Sequence, residues 1–222
     1  MKNPNPMRAV AVVLALSCAG AALAQGSAER PRNWYAGASV GRGGFDTDFE
    51  RTKATIRSTG ATSFVVTPDA TTDTVWKGYF GYRFSPNVSI EAGYWNFGTL
   101  TYSANISAPV AASMQRTFRA EGYGADAAFW LPVYGSLEAF AKLGAMQVHT
   151  RASAADPGAG LGSLPAQSSR KLNSHWGLGL EYRLSRDLAA RLEYETVRKI
   201  GDDAKFGTAD VMMWSLGANY KF

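Results

Sequence analysis

The sequence predicts an all-β fold: an eight-stranded antiparallel up-and-down transmembrane β-barrel. Three observations lead there. Segments rich in aromatic residues and glycine recur with a period of two, the side-chain repeat of a strand. Tight turns alternate with long polar segments along the chain. After Ala24 no apolar run is long enough for a transmembrane helix, so a chain that enters a membrane must cross it as strands.

The first residues read as an export signal. Lys2 and Arg8 supply a positive start, and Ala9 to Ala22 is apolar but short for a bilayer span. Ala22-Leu23-Ala24 is a small-x-small cleavage site, so residues 1–24 are expected to be removed. Residues 25–32 would form a short periplasmic segment, and residues 33–222 the barrel. Losing Lys2 and Arg8 takes the formal net charge from +5 to +3. No basic run or stripe remains, so nucleic acid is not an expected partner. Cys18 lies in the signal, and the mature chain then has no disulfide framework. A lipoprotein reading of Cys18 is weak, because Ala15-Leu16-Ser17 lacks an aliphatic residue three positions upstream. The 222 residues include 23 Gly, 6 Trp, 10 Tyr and 11 Phe, an odd mixture for a helical or α/β domain.

The eight predicted strands are Asn33–Gly43, Thr74–Phe84, Val88–Gly98, Thr117–Leu131, Leu137–Val148, Leu172–Leu184, Asp187–Ile200 and Asp210–Phe222. Each reaches the roughly 9–11 residues that a tilted strand needs to cross the hydrocarbon core. Short connections fall at Ser85-Pro86-Asn87, at Pro132 to Ser136 and at Ser185-Arg186. These residue types make turns for definite backbone reasons. The other connections, Gly44–Asp73, Thr99–Arg116, His149–Lys171 and Gly201–Ala209, are expected to be loops. Strict alternation of tight turns and long loops is what a barrel with two unlike ends produces. An even strand number places both termini at the short-turn, periplasmic end.

Each strand has two unlike faces. In the last one, Met212, Trp214, Leu216, Ala218, Tyr220 and Phe222 oppose Met213, Ser215, Gly217, Asn219 and Lys221. Leu178 and Leu180 oppose Gly179 and Glu181, while Leu192 and Tyr194 oppose Arg191, Glu193 and Glu195. A soluble lipocalin-like barrel would turn the apolar face inward. Glycine on the polar face suits a crowded lumen instead. Aromatic residues near strand ends (Trp34, Tyr82, Phe84, Trp130, Tyr182, Tyr220 and Phe222) suit an interfacial girdle. The missing disulfides also favour the membrane reading over a secreted soluble barrel.

Several motifs resemble one family. The C-terminal Trp214-Ser215-Leu216-Gly217-Ala218-Asn219-Tyr220-Lys221-Phe222 looks like the terminal signal of outer-membrane barrels. Trp34 to Gly41 is similar to the first strand of OmpA-type barrels. Gly81-Tyr82-Arg83-Phe84 with Val88 to Tyr94 is similar to their second hairpin, and Phe140 to Ala145 and Gly177 to Tyr182 also match. The resemblance covers Asn33 to Phe222. It implies a Gram-negative outer membrane as location, with membrane lipid and lipopolysaccharide around the wall. It also implies periplasmic chaperones and the barrel-insertion machinery as partners in assembly, the latter reading Trp214, Leu216, Tyr220 and Phe222. The family's namesake continues into a peptidoglycan-binding domain. This sequence stops at Phe222, so tethering to the cell wall is not implied.

With the apolar face outward, twelve charges point inward: Lys77, Arg83, Glu91, Asp126, Glu138, Lys142, Glu181, Arg183, Arg191, Glu193, Glu195 and Lys221. Six are basic and six acidic, so they can fill the lumen as mutual ion pairs or line an ion path. An eight-stranded barrel is barely wide enough for its own side chains, which favours filling. Catalysis is disfavoured. Ser174 and His175 point to opposite faces of one strand and cannot act as nucleophile and base. Two distant histidines, His149 and His175, offer no metal spacing, and no cofactor is expected. Asp46-x-Asp48-x-Glu50 lacks the glycine of a calcium loop. The expected role is therefore a monomeric structural barrel that presents surface loops, open to a host or surface ligand. The alternative is a narrow channel for ions or small solutes.

Phe222 ends an alternating strand that must close the barrel against the first. Its deletion should reduce the amount of folded barrel recovered in outer membranes. Undiminished folded protein, scored by heat-modifiable gel mobility, would remove the terminal residue from the assembly signal.

Overall fold

The computed structural model describes residues 33–47, 57, 62–70, 72–108, 112–155, 166–202 and 207–222. The expected signal 1–24 and the segment 25–32 lie outside them, as do Asp48 and Glu50. The described strands, in chain order, are β1 (Trp34–Thr47), β2 (Ser63–Ala70), β3 (Thr72–Ser85), β4 (Val88–Ala108) and β5 (Ala112–Tyr134). They continue with β6 (Leu137–Ala155), β7 (Gln167–Arg183), β8 (Leu188–Asp202) and β9 (Gly207–Lys221).

All strand pairs are antiparallel, and eight of the strands close a cycle. It runs β1, β3, β4, β5, β6, β7, β8, β9 and back to β1. Partners followed from Trp34 through Tyr82, Ile90, Ala127, Leu143, Trp176, Thr196 and Met212 return to β1 at Gly44, ten residues further along. Stagger, tilt and diameter are linked, and closed membrane barrels tilt their strands by about 35–45°. At the seam the Phe222 amide donates to the Trp34 carbonyl at 3.0 Å. The Phe222 ring lies 5.8 Å from that of Phe80.

The short turns are tight because local groups satisfy the chain reversal. The Ser185 hydroxyl accepts from the amides of Asp187 and Leu188 at 3.3 and 3.1 Å. Gly135 takes a φ of 55°, a left-handed turn conformation that other residues adopt at a cost. A bulge between Asn96 and Thr99 brings Gly98 to a φ of 78°, while the Thr99 amide donates to Asp73 at 2.8 Å.

Among the described residues, the polar connections expected as loops are largely strand, which corrects that expectation. β4 runs on to Ala108 and pairs with β5 from Ile106↔Ala112 downward. β6 extends to Ala155 and β7 begins at Gln167, so the described residues of the His149–Lys171 connection form a projecting ladder. β8 reaches Asp202 and β9 starts at Gly207. The first long connection contains β2, which pairs with the upper part of β4 outside the barrel cycle. Phe64, Val66 and Ile106 pack there against buried Ala104. Above the hydrocarbon the outer face has no lipid to meet. The apolar alternation that marks a strand fades there, while backbone pairing continues.

The facing agrees with the period-two reading at most positions. Leu143, Leu178, Leu180, Leu192, Trp214, Leu216 and Phe222 are exposed on the outer wall. Trp130 differs from the girdle expectation. It is buried inside the barrel and its indole N–H donates to the Ser89 hydroxyl at 2.8 Å, while Phe129 and Leu131 take the outward positions. Inner-face glycines are small because the lumen is full. A Cβ on Gly179 would meet the Phe140 ring and come within 2.7 Å of the Leu192 carbonyl oxygen.

Leu178→Arg should lower stability by about 2–4 kcal/mol, the cost of a cation on the lipid face near the midplane. Gly78→Ala, whose new methyl meets no neighbour within 4 Å, should change it little. Urea unfolding in lipid vesicles measures both. Equal midpoints would mean that Leu178 does not face lipid.

The filled lumen as candidate functional site

The lumen is layered from the mouth at the short-turn end upward. At the mouth, Arg83 of β3 donates two hydrogen bonds to Glu138 of β6, at 3.1 and 2.9 Å. Arg183 of β7 approaches the same carboxylate at 3.7 Å with its own side chain 46% exposed. These three residues were expected among the inner charges. They form a separate rim cluster, because the strands end at that level and water reaches them.

The central network lies above them. Arg191 of β8 pairs with Glu91 of β4 at 2.6 Å. Glu181, the cross-strand partner that the sequence suggests for Arg191, is 3.8 Å away. The register does set Glu181 opposite Arg191. The guanidinium, however, reaches across the lumen instead of along the wall, which no cross-strand rule anticipates. It stacks over the rings of Phe140, Tyr79 and Trp130, with centroids at 4.2, 4.9 and 5.1 Å. The Tyr35 hydroxyl donates to Glu91 at 2.7 Å. Glu181 instead accepts from Asn219 at 2.5 Å and pairs with Lys221 at 3.0 Å.

Two lysines and two glutamates form the centre. Lys77 of β3 pairs with Glu193 and, at 2.5 Å, with Glu195. Lys142 of β6 pairs with Glu193 at 2.5 Å and with Glu195. Strand parity puts Glu193 and Glu195 on one face of β8, two residues apart, so each lysine can span both. Asp126 of β5 contacts His175 Nδ1 at 2.7 Å, and Glu195 lies 3.3 Å from His175 Nε2. The Trp95 indole N–H donates to Glu195 at 3.2 Å. If His175 is protonated, five cations (Lys77, Lys142, Arg191, Lys221 and His175) meet five carboxylates (Glu91, Asp126, Glu181, Glu193 and Glu195).

Toward the end with the long connections the lumen turns apolar. Phe45, Val75, Trp95, Phe97, Leu100, Met146, Val148, Val197, Ile200, Val211 and Met213 form one buried cluster. Reading the strand faces did not anticipate this cap, but the signal was present. Continuing the inner parity two residues past Lys77 reaches Val75, and past Glu195 it reaches Val197. Met213, two residues before Ser215, continues the same face of β9.

The expected assembly residues Trp214, Leu216, Tyr220 and Phe222 all sit on the outer wall. Of the two histidines, His175 is buried in the network. His149 is a strand residue of β6, with Nδ1 3.6 Å from Glu121.

Comparison with known proteins follows the same lines. Residues 29–222 match the family described as the OmpA-like transmembrane domain. Outer membrane protein A of Salmonella typhi is 27% identical over 219 residues, covering 97% of this chain and 56% of that protein. The same protein from Escherichia coli O157:H7 is 27% identical over 221 residues, covering 97% and 55%. The chain thus spans about half the length of the curated relatives it matches. Among solved structures, OprG of Pseudomonas aeruginosa aligns with a TM-score of 0.48 at 13% identity, covering 86% of this chain and 96% of that one. The attachment invasion locus protein Ail of Yersinia pestis aligns at 0.45 and 16%, covering 86% and 99%. A closed cycle of eight antiparallel strands, an apolar outer wall and a family match over all of the described residues converge: this chain belongs to the OmpA-like transmembrane domain family and is an outer-membrane β-barrel.

Proposed function

We propose that the barrel is a non-enzymatic structural and surface-interaction protein with a closed lumen. One observation carries the reading: the ion pairs that cross the lumen join side chains only 0–2% exposed. An ion passing through would have to break several of them at once in a space with little water. It would then meet the apolar cap, which offers no groups to replace its hydration. Both barriers favour a plug over a pore.

The outward parts support the surface role. The β4–β5 and β6–β7 ladders carry backbone pairing well past the apolar wall, so their tips stand on stiff supports. Such supports suit recognition of a host or surface ligand. The chemistry of Ser174 and His175 supports the non-enzymatic part. Ser174 is exposed on the outer wall, and His175 is buried between Asp126 and Glu195. Lipid and lipopolysaccharide would surround a monomer, with chaperones and the insertion machinery needed only during assembly. Cleavage of residues 1–24 belongs to the same reading.

Arg191→Ala decides between plug and pore. In a dry lumen it takes from Glu91 its nearest cation, leaving the Tyr35 hydroxyl and Lys142 at 3.9 Å, and breaking a buried pair costs about 3–5 kcal/mol. A wet lumen would reduce the cost to that of an exposed pair, about 0–1 kcal/mol. The expected result is a large loss in urea stability, with negligible conductance of the unmodified protein in planar bilayers. A near-neutral substitution that alters the ion selectivity of a conducting barrel would establish the channel instead.

A further inference from the structure

We propose that the open edge of β2 pairs with β2 of a second copy of this chain, antiparallel and centred on Val65, and that the pair joins barrels in two apposed outer membranes. The proposal rests on the surface-interaction reading, in which the long connections lie outside the cell, and it names the partner. It does not depend on whether the lumen conducts.

Among the described residues β2 is bonded on one side only. Its neighbour there is upper β4, which carries β5 on its other side. The register shows which backbone groups of β2 face outward. The Trp130 amide donates to the Asn87 carbonyl, so even-numbered residues of β5 turn their backbone groups toward β4. β5 pairs with β6 without a shift over 115–132, so this parity carries upward. Leu100, Tyr102, Ala104 and Ile106 therefore bond to β5, while Ser103 and Asn105 bond to β2 at Thr67 and Val65. The N–H and C=O groups of Phe64 and Val66 are left directed at the open edge. Pro68 falls in the same row, where its missing N–H costs no ladder bond.

This edge lacks the usual guards. Exposed edges are commonly blunted by lysines or inward charges. Ser63 to Thr67 carries no charge, and Phe64, Val65, Val66 and Thr67 are all strong strand formers. Val65 is 62% exposed on the outer face, while Phe64 and Val66 pack on Ala104 from the inner one. The Arg57 guanidinium lies over the Phe64 ring, 5.7 Å from its centroid.

The edge complements itself. Under a two-fold axis at Val65, Phe64 of each copy bonds to Val66 of the other. The two Val65 side chains then meet in the close, non-hydrogen-bonded pair. Aromatic with β-branched and β-branched with β-branched are favourable cross-strand pairs, and no like charges are opposed. A neutral, self-matching edge suits a second copy better than a charged partner. The contact is small, so each pair is weak, but many pairs between two membranes act together.

Symmetry fixes the arrangement. The two-fold of an antiparallel strand pair is perpendicular to the sheet. In a barrel wall that direction runs across the barrel axis, so a half-turn about it reverses the barrel. The two copies therefore face each other from opposed membranes.

The test uses the mature chain refolded in phosphatidylcholine vesicles, with two vesicle populations labelled in different colours. The populations should cluster together, increasingly with protein density. Val66→Pro removes an N–H that points at the edge and none that serves β4. It should keep heat-modifiable mobility while clustering falls roughly tenfold. If it fails to refold, Val65→Lys and Val65→Glu take its place. Each alone should cluster several-fold less, because like charges oppose across the axis, and mixing the two populations should restore clustering. The Arg119→Gln/Arg151→Gln/Arg170→Gln variant, altered on the outer wall of β5 to β7 away from this edge, should cluster like the unmodified protein. In nanodiscs holding one barrel each, the Phe64 and Val66 amides should exchange freely with solvent. Protection there would mean that residues 48–61 of the same chain occupy the edge, which overturns the proposal. Clustering that ignores both Val66→Pro and Val65→Lys overturns it too, as does a Lys and Glu mixture that fails to restore it, or pairing confined to one membrane. Absence of clustering at every density overturns the edge pairing alone and leaves the surface role to other ligands at the ladder tips.

Discussion

Closure is the constraint on which the rest of this structure depends. β9 must bond back to β1, and it does so at a stagger of ten residues over eight strands. That geometry leaves no free strand edge in the hydrocarbon layer, where an unpaired backbone group would be costly. It also sets the bore. The interior holds side chains and little else, so every inward residue has to fit its neighbours and satisfy them.

The contents of the lumen follow from that narrowness. Large groups such as Tyr35, Tyr79 and Phe140 are accommodated because Gly81, Gly37 and Gly179 face them. Charges survive because they are shared. Lys77 and Lys142 each serve two glutamates, and Arg191 joins a carboxylate to three aromatic rings. Burying so many charges is weak evidence for stability in itself, since desolvation consumes much of the Coulombic gain. The network is better understood as specificity. It ties β3, β4, β6 and β8 to one another across the bore, and a shifted register would leave these charges without partners.

The outer wall solves a different problem at each height. Exposed leucine, tryptophan and phenylalanine face lipid through the middle. Aromatic contacts such as Trp34 with Phe80 and Tyr82, at 5.0 and 4.6 Å, gather near the periplasmic ends. Above the belt on β5 to β7 the wall becomes basic, and beyond it the ladders carry serine, threonine and alanine. The same strands therefore pass from an apolar solvent through a charged boundary into water without losing their backbone pairing.

Much of this was legible in one dimension. A period of two, an apolar face, tight turns and a terminal aromatic strand are local properties, and they determine strand identity, facing and strand order in an up-and-down barrel. They placed Lys77, Glu91, Asp126, Lys142, Glu181, Arg191, Glu193 and Glu195 inside. What they could not decide is who meets whom across the bore. Arg191 takes Glu91, one hundred residues away in sequence, over its cross-strand neighbour Glu181, because a long guanidinium reaches the centre. Trp130 turned inward although it sits near a strand end, because Ser89 and Phe140 offer it a place there. The upper ladders were hidden for a related reason: outside the membrane a strand no longer needs an apolar face, so its sequence resembles a loop. Periodicity records which solvent each face meets. Only the closed tertiary structure, by bringing eight inner faces within reach of one another, decided the pairing of charges, the apolar cap above them and the clustering of Arg119, Arg151 and Arg170 from three separate strands.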